Sequence, residues 1–469
     1  MYYQSHGTYE NVVARIQNSN EGIGVAAVSS DIQNGNYLIK YKIDGKTHEI
    51  KSTSNLVEPL CYPLLFPYGE TGWSPHLTSQ KINYMPYLAS RILMPENNLY
   101  LKNQNGEQIQ CNRFQILSRL MQYYIVESVS RAIDYRLRWL ENNKSKILSS
   151  SIYGEKQTDV THMNDNEYNE INDMNDEMID GERIVNNNSN KTYLAESFTG
   201  SPRHLKSLAL DAMTIVSEFG ESTAFITVTY NPLWAEVKER LAEMQTVYDR
   251  TEIICLIFKA RLTALIHNIK HGKYFGGRKT EYFLYVIEYQ ARGLPHAHIV
   301  FRLKNAPTSD EQKIEFINKF FHARYPDDFE EPTEIQKNSA AELFKYEKQK
   351  AEHERYVQCI NNNMTHKCSS AFNGCKDKNG ICKKGYMTNT INKTASFDLK
   401  GYPVYYRKTE NDLRVVPHNK EMLLDWDGHI NVEFCGKVYA VMYLYNYLFK
   451  GKFFDILFFY YNNIIMFFL

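Results

Sequence analysis

Apolar and polar positions along this chain repeat with two different periods, and each period predicts a different element. Between Phe114 and Asn142 apolar residues return every three or four positions. Phe114, Leu117, Met121, Tyr124 and Ile125 then share one face, as on a helix. LKSLALDAMTIVSEFG repeats that period and reaches Gly220, a residue suited to ending a helix. AFITVTYNP reads as a strand halted by Asn231 and Pro232. WAEVKERLAEM starts another helix, and IICLIFKARLTALIHNIKHG is a long amphipathic helix closing at Gly272. EYFLYVIEYQ and HAHIVFRL are predicted strands joined by a turn at ARGLP. Residues 308–356 are charged and helical. YPVYYRK, RVVPHN and HINVEFC read as strands, and KVYAVMYLYNYLFKG as a helix ending at Gly451. Strands and helices that follow one another without strict alternation predict an α+β fold on an antiparallel sheet.

Upstream, residues 1–60 hold short alternating runs, with a hairpin predicted at Asp44–Gly45. VEPLCYPLLFPYGETGWSP is punctuated by Pro and Gly and reads as an ordered loop. Its aromatic residues suit stacking on unpaired bases, though packing of Trp73 into a core is the simpler expectation. Residues 153–183 carry ten acidic residues against Lys156 and Arg183, with almost no aliphatic clustering, and read as a disordered linker or an acidic regulatory insert. A length of 469 residues implies two or three domains. The expected division is an accessory, DNA-binding region over 1–150, the acidic linker over 151–193, a main domain over 194–452 and an apolar tail over 453–469. That tail, within KFFDILFFYYNNIIMFFL, is short and broken by Asp455 and two Asn, so no membrane role is expected. It reads as sequence following a truncation.

Charge and cysteine use narrow the chemistry. Lys+Arg and Asp+Glu both number 54, so only local charge can mark a nucleic-acid partner. The N-terminus lacks a basic-then-apolar leader, so a reducing compartment is expected. There, clustered cysteines more often hold metal than form disulfides. His366, Cys368, Cys375 and Cys382 form H-x-C-x6-C-x6-C, a donor set suited to closed, structural Zn²⁺, with Cys359 as an alternative ligand. Gly374 and Gly380 permit tight turns between the ligands. Residues 359–400 hold seven Lys and two Asp, a surplus of five positive charges. Lys383 and Lys384 within it, with Arg203 and Arg292 elsewhere, are candidate contacts to a phosphate backbone. The alternative is a solvated lysine loop.

The sharpest feature is the pair His296 and His298. Residues i and i+2 of a strand face the same way. Glu288 and Gln290, on the preceding strand, also share a face. If the ARGLP turn folds the strands together, two imidazoles meet a carboxylate or amide oxygen, a cradle with open positions for a divalent cation. The plain alternative is two strand histidines with satisfied hydrogen bonds. Near the C-terminus, Tyr443 and Tyr447 lie four apart on a helix, and Lys450 follows near the same face. An aromatic stripe packed into a core, with Tyr445 and Phe449, explains those tyrosines equally well.

VIEYQARGLPHAHIVF and YLYNYLFKG together resemble the replication-initiator part of Helitron transposases, a two-tyrosine branch of the HUH nucleases. CYPLLFPYGETGW, SFTGSPRHLKSLALDAMTIVSEFG, FITVTYNPLWAEV, MTHKC with GC and GIC, GYPVYYRK and VVPHNKEMLLDWDGHINVEFC look like further blocks of the same region, in the same order, from about residue 58 to 451. The resemblance implies an HUH-type antiparallel sheet flanked by helices, with an N-terminal α/β extension and a small zinc knuckle at 359–388. It implies nicking and rejoining of single-stranded DNA through a 5′-phosphotyrosine, in a rolling-circle transposon and in the nucleus. Mapped on this chain, the metal ligands are His296 and His298 with Gln290 or Glu288, and the nucleophiles are Tyr443 and Tyr447. Lys450 would lie against the phosphate. Mg²⁺ or Mn²⁺ suits the catalytic position and Zn²⁺ the knuckle. No G-x-x-x-x-G-K-[ST] loop is present, so helicase activity is not expected and would be supplied in trans. The competing expectation is a catalytically silent DNA-binding remnant of a decayed element.

Overall fold

The computed structural model describes residues 30–31, 36–40, 47–51, 54–74, 83–143, 201–289, 293–330, 339–368, 375–384, 386 and 389–435. β1 (Ser30–Asp31), β2 (Asn36–Lys40) and β3 (Thr47–Lys51) form an antiparallel sheet. β2 and β3 flank Asp44–Gly45, which itself lies outside the described residues. The acidic stretch 151–193 and the tail 453–469 also lie outside them.

A helical unit follows: α1 (Val57–Cys61), α2 (Tyr84–Leu93), the hairpin of β4 (Tyr100–Lys102) and β5 (Gln108–Gln110), α3 (Arg113–Ile116) and α4 (Ser118–Asn142). The single helix expected from Phe114 to Asn142 is broken at Leu117, whose ψ of 48° leaves the helical well. Its apolar face is nevertheless the one expected. Phe114, Met121, Tyr124 and Ile125 are buried with Leu65, Phe66, Leu88 and Ile92, and Leu117 packs against them. Leu65 and Phe66 come from the Pro-punctuated loop, so that loop is part of a core. Trp73 packs on Tyr84 with ring centroids 4.8 Å apart. At the centre, buried Glu58 pairs with buried Arg131 at 3.1 Å and accepts from the hydroxyls of Tyr87 and Tyr124. Those added donors are what make a buried carboxylate tolerable.

The larger unit begins with α5 (Pro202–Phe219). Ser201 Oγ accepts from His204 N–H at its start, and Gly220, at φ 88°, ends it in a conformation that side chains resist. β6 (Ala224–Thr229) and α6 (Ala235–Lys238) come next. The helix predicted over WAEVKERLAEM stops after one turn because other partners take its carbonyls. Asn103 Nδ2 donates to Glu239 O at 2.9 Å, Arg250 Nη1 to Arg240 O at 3.1 Å, and Gln104 N to Leu241 O at 3.1 Å. The bonds from Asn103 and Gln104 also tie the β4–β5 hairpin to the larger unit.

α7 (Thr251–Lys270), β7 (Thr280–Tyr289), β8 (Pro295–Leu303), α8 (Asp310–Phe320) and α9 (Ala340–Cys359) lead to the short pair β9 (Ser396–Phe397) and β10 (Pro403–Val404), then α10 (Lys420–Trp426) and β11 (Ile430–Phe434). β11, β6, β8 and β7 lie side by side in that order, every neighbour antiparallel. The fold is therefore mixed α and β on antiparallel sheets. One face of the four-stranded sheet is wholly apolar: Ile226, Val228, Ala297, Ile299, Phe301 and Val432 are buried with Phe258, Leu262 and Leu265 of α7. On the other face α5 covers only one end, where Val216 meets Phe225, Val286 and Val300. The remaining end of that face is polar.

Two predicted strands fall short. YPVYYRK contributes only Pro403–Val404 to a ladder. Buried Arg407 donates to the carbonyls of Ala323, Asp412 and Val415, which bends the chain away from strand geometry. RVVPHN makes single bridges, Thr365 to Val415 and His322 to His418, because Pro417 has no N–H to continue a ladder. Among the described residues no helix is long and apolar enough to cross a membrane.

This region holds two uncharged histidines away from the sheet's polar end. His418 is fully buried between the Tyr356 hydroxyl on Nε2 and Val416 O on Nδ1, and burial pushes its pKa down to about 3. Burial takes His322 down to about 4. Below pH 6.5 the unfolded chain protonates these rings while the folded chain does not, so the unfolded state binds more protons. Stability is therefore complete above about pH 6.5 and is lost as pH falls toward 4 and below. Thermal denaturation scanned from pH 7 to pH 4 should show the melting temperature dropping, and His418→Gln should flatten the slope. An unchanged slope would assign the acid sensitivity to other groups.

Candidate functional site

The polar end of the sheet is assembled by register. Glu288, His296 and Thr229 stand in one row across β7, β8 and β6, and His429 extends it, its carbonyl accepting from Thr229 N–H at 3.0 Å. Val286, His298, Thr227 and Asn431 form the next row. Because paired residues across a sheet point to the same side, both rows face the end that α5 leaves open. Gly293, at φ 77°, makes the turn that brings β7 back against β8, a conformation only glycine adopts without strain.

Each imidazole is held from behind. Thr229 Oγ1 lies 3.0 Å from His296 Nδ1, and Thr227 Oγ1 lies 3.0 Å from His298 Nδ1. Both rings are buried. His298 Nε2 meets Glu288 Oε1 at 3.1 Å. Burial lowers the pKa of His296 to about 4, partly offset by Glu288, so this ring is neutral near pH 7 and has a lone pair to offer. His429 donates through Nδ1 to Asn363 O at 2.8 Å, and burial lowers its pKa as well. Asn431 donates to Glu433 Oε1, while its own Oδ1 is buried with no hydrogen-bond partner among the described residues.

The donor set is thus two imidazole nitrogens backed by hydroxyls, one carboxylate and nearby amide and hydroxyl groups. Nitrogen lone pairs and a carboxylate are donor types that a divalent cation takes. Glu288 rests on one ring rather than between the two. Among the described residues, only the cysteine cluster brings its donor atoms all within 4.8 Å of one another. Gln290, the other expected oxygen donor, lies outside the described residues, as do Arg292, Tyr443, Tyr447 and Lys450.

Sequence reading missed Thr227, Thr229, His429 and Asn431. Their signal was present in period two: ITVT sets both threonines on one face, and HINVEFC does the same for His429 and Asn431. What was lacking was the strand order that brings β11 and β6 beside the histidines.

The cysteine cluster is the second site. His366, Cys368, Cys375 and Cys382 converge, with His366 Nε2 3.3 Å from Cys382 Sγ. The turn between the last two thiols is closed by Lys383 N donating to Cys375 O, by Asp377 accepting from Asn379 and Ile381, and by Gly380 at φ 77°. Burial opposes ionisation of Cys382, yet the Lys384 and Tyr386 N–H groups bring its pKa below the ordinary thiol value. Three thiols and an imidazole at this range are able to hold a metal such as zinc. Cys359 is not among them. It sits at the end of α9 with its Sγ 3.7 Å from Asp427 Oδ1. Lys383 and Lys384 are exposed at the edge of the cluster, and Arg203 is exposed in the first turn of α5.

Residues 99–301 match the family described as the Helitron helicase-like domain at N-terminus. The match takes in β4 through most of β8, with Glu288, His296 and His298, and ends before the cysteine cluster. No curated protein matches the chain.

Proposed function

From a chain whose residues 99–301 are a Helitron helicase-like region, and hence transposon-related, we infer a metal-assisted endonuclease and strand transferase acting on single-stranded DNA through an HUH-type fold. The observation that carries this reading is the buried pair His296 and His298, each backed by a threonine hydroxyl, beside Glu288 on an antiparallel sheet.

In this reading His296 and His298 would hold a divalent cation, Mg²⁺ or Mn²⁺, through Nε2, with Gln290 or Glu288 to supply an oxygen. When bound, the cation withdraws charge from a non-bridging phosphate oxygen. Tyr443 or Tyr447 supplies the nucleophile. A tyrosine has an ordinary pKa of about 10, so its hydroxyl must lose a proton as the oxygen attacks phosphorus. The phenol O–P bond forms, the bond from phosphorus to the 3′-oxygen breaks, and that oxygen takes up a proton and leaves. The strand's 5′-phosphate is now a tyrosyl ester, and its bond energy allows rejoining without ATP. The cysteine cluster holds Zn²⁺ as a structural ion in the same reading.

The threonines have a specific part. In the tautomer that turns the Nε2 proton of His298 toward Glu288, Thr227 donates to Nδ1. Ligation by Nε2 needs the opposite tautomer, in which Thr227 accepts from Nδ1–H. A hydroxyl serves both. Thr227→Val, which keeps shape and removes the hydroxyl, is expected to lower Mn²⁺ affinity by about 10- to 100-fold, and Thr227→Ser to retain it. Titration followed by Mn²⁺ paramagnetic resonance measures this, and equal affinity for all three proteins would remove the threonine from the site.

The test of the reading itself is incubation of the full chain with labelled single-stranded oligonucleotides and Mn²⁺, then a denaturing gel. A covalent protein–DNA adduct that disappears in Tyr443→Phe with Tyr447→Phe supports it. No adduct with any of several sequences would leave a silent DNA-binding remnant.

A further inference from the structure

A cavity of about 850 Å³ opens beside the segment whose Asn363 holds His429. Its walls include Tyr325, Asn361, Tyr386, Glu410, Asn411 and Arg414. Ile360–Met364 has the widened π-helical turn that often marks functional positions. Asn363 of this segment accepts from His429 beside the histidine rows, whereas Asn361 and the following Thr365 line the cavity. His366, next along the chain, belongs to the cysteine cluster. One short stretch therefore separates the sheet's polar rows from the cavity and borders the cluster too.

The cavity's chemistry is selective. The Tyr386 ring stacks on His366, centroids 4.3 Å apart and planes 16° from parallel, so one of its faces is fixed by the cluster. The Tyr325 hydroxyl donates to Asn361 Oδ1 at 2.7 Å and lies 3.2 Å from Thr365 Oγ1, which fixes the oxygen of that carboxamide. Asn411 and Arg414 are exposed, and Glu410 adds an acceptor. An aromatic face, carboxamides, a carboxylate and a guanidinium in one hollow are what an unpaired base and its phosphate require: stacking, edge hydrogen bonds and a cation. The volume falls within the range of small-ligand sites.

We propose that this cavity seats one unpaired base of a single DNA strand, Tyr386 stacking on the base and Arg414 meeting the adjoining phosphate. The inference rests on the reading of the chain as a single-strand DNA enzyme and names the part of that site that distinguishes one DNA sequence from another. Asn361, Asn411 and Glu410 then read the base edge, one segment away from the histidines.

Binding of a short fluorescein-labelled single strand by the zinc-loaded full chain, without added Mg²⁺ or Mn²⁺, tests it by anisotropy. Tyr386→Ala should weaken binding by about 5- to 150-fold, the range of one lost base stack, while Tyr386→Phe should bind as the wild type does. Arg414→Ala should weaken binding and reduce the salt slope by about one. Asn411→Ala should change the ranking of oligonucleotides that differ at a single base. If Tyr386→Ala sheds zinc, Arg414→Ala and Asn411→Ala decide the matter, each with its zinc content measured, since the bond from His366 N–H to Arg414 O is made by the main chain and survives the substitution. Wild-type binding by folded, zinc-retaining variants overturns the proposal, as does a wild-type chain that binds no single strand. Tight, pocket-dependent binding without any covalent adduct sinks the nuclease reading alone. Adduct formation by a chain whose affinity ignores Tyr386, Asn411 and Arg414 sinks the pocket alone.

Discussion

Replacing His298 with alanine is expected to reduce covalent adduct formation by at least about 100-fold, the usual consequence of removing one preorganised contributor to a charged transition state. The loss has two parts. One nitrogen donor disappears, and Glu288, which meets His298 Nε2 at 3.1 Å, loses the group that fixes its position. His296→Ala should have a similar effect, because its ring stands in the same row as Glu288 and is held just as firmly, by Thr229 at 3.0 Å. The measurement is the rate of adduct formation at saturating Mn²⁺, beside Mn²⁺ binding and a thermal melt. A His298→Ala protein that melts normally and forms adduct at the wild-type rate would refute the assignment of this ring. The melt is part of the measurement because His298 is buried and its ring stacks on Phe225, with centroids 5.9 Å apart, so the rate is compared only between folded proteins.

The second large effect concerns the cysteine cluster. Cys382→Ser is expected to lower zinc affinity by about 100- to 1,000-fold, taking a structural-site binding energy of about 10–16 kcal/mol as shared among four ligands. Cys382 is the buried member and the one whose thiolate is favoured by backbone N–H groups, so its loss should exceed that of Cys368. Metal content per chain, with limited proteolysis of the 375–386 turn, reads the outcome. Cys359→Ser should leave both unchanged, because that thiol lies against Asp427 and outside the cluster. Full zinc retention in Cys382→Ser would mean that the four side chains converge for another reason.

Much of this was legible in the residue order, for reasons that are local. The period of two set His296 and His298 on one face, and the glycine of ARGLP marked the turn that returns Glu288 to them. The long apolar period of α7 and the closing Gly220 of α5 needed no tertiary information, whereas the Ser201 cap at the start of α5 went unread. What escaped depended on partners distant in sequence. WAEVKERLAEM has helical period throughout, but Asn103, Gln104 and Arg250 take its carbonyls and end it after Lys238. YPVYYRK has strand composition, but Arg407 gathers three carbonyls and curls the chain. The outer members of the histidine rows were invisible because β11, about 130 residues downstream of the histidines, joins the sheet on the far side of β6. Spacing alone also left Cys359 as a rival zinc ligand, and only the end of α9 beside Asp427 decides against it.

The stretch from Asn361 to His366 carries an evolutionary consequence. Its main chain steadies His429, its side chains wall the cavity, and its last residue enters the cysteine cluster. A replacement there is judged by three neighbourhoods at once, so these six positions should accept far fewer alternatives in a saturation screen than the exposed positions of α9 that precede them. Compensating changes should arise in pairs that straddle the stretch, one in the knuckle and one near the sheet, rather than singly.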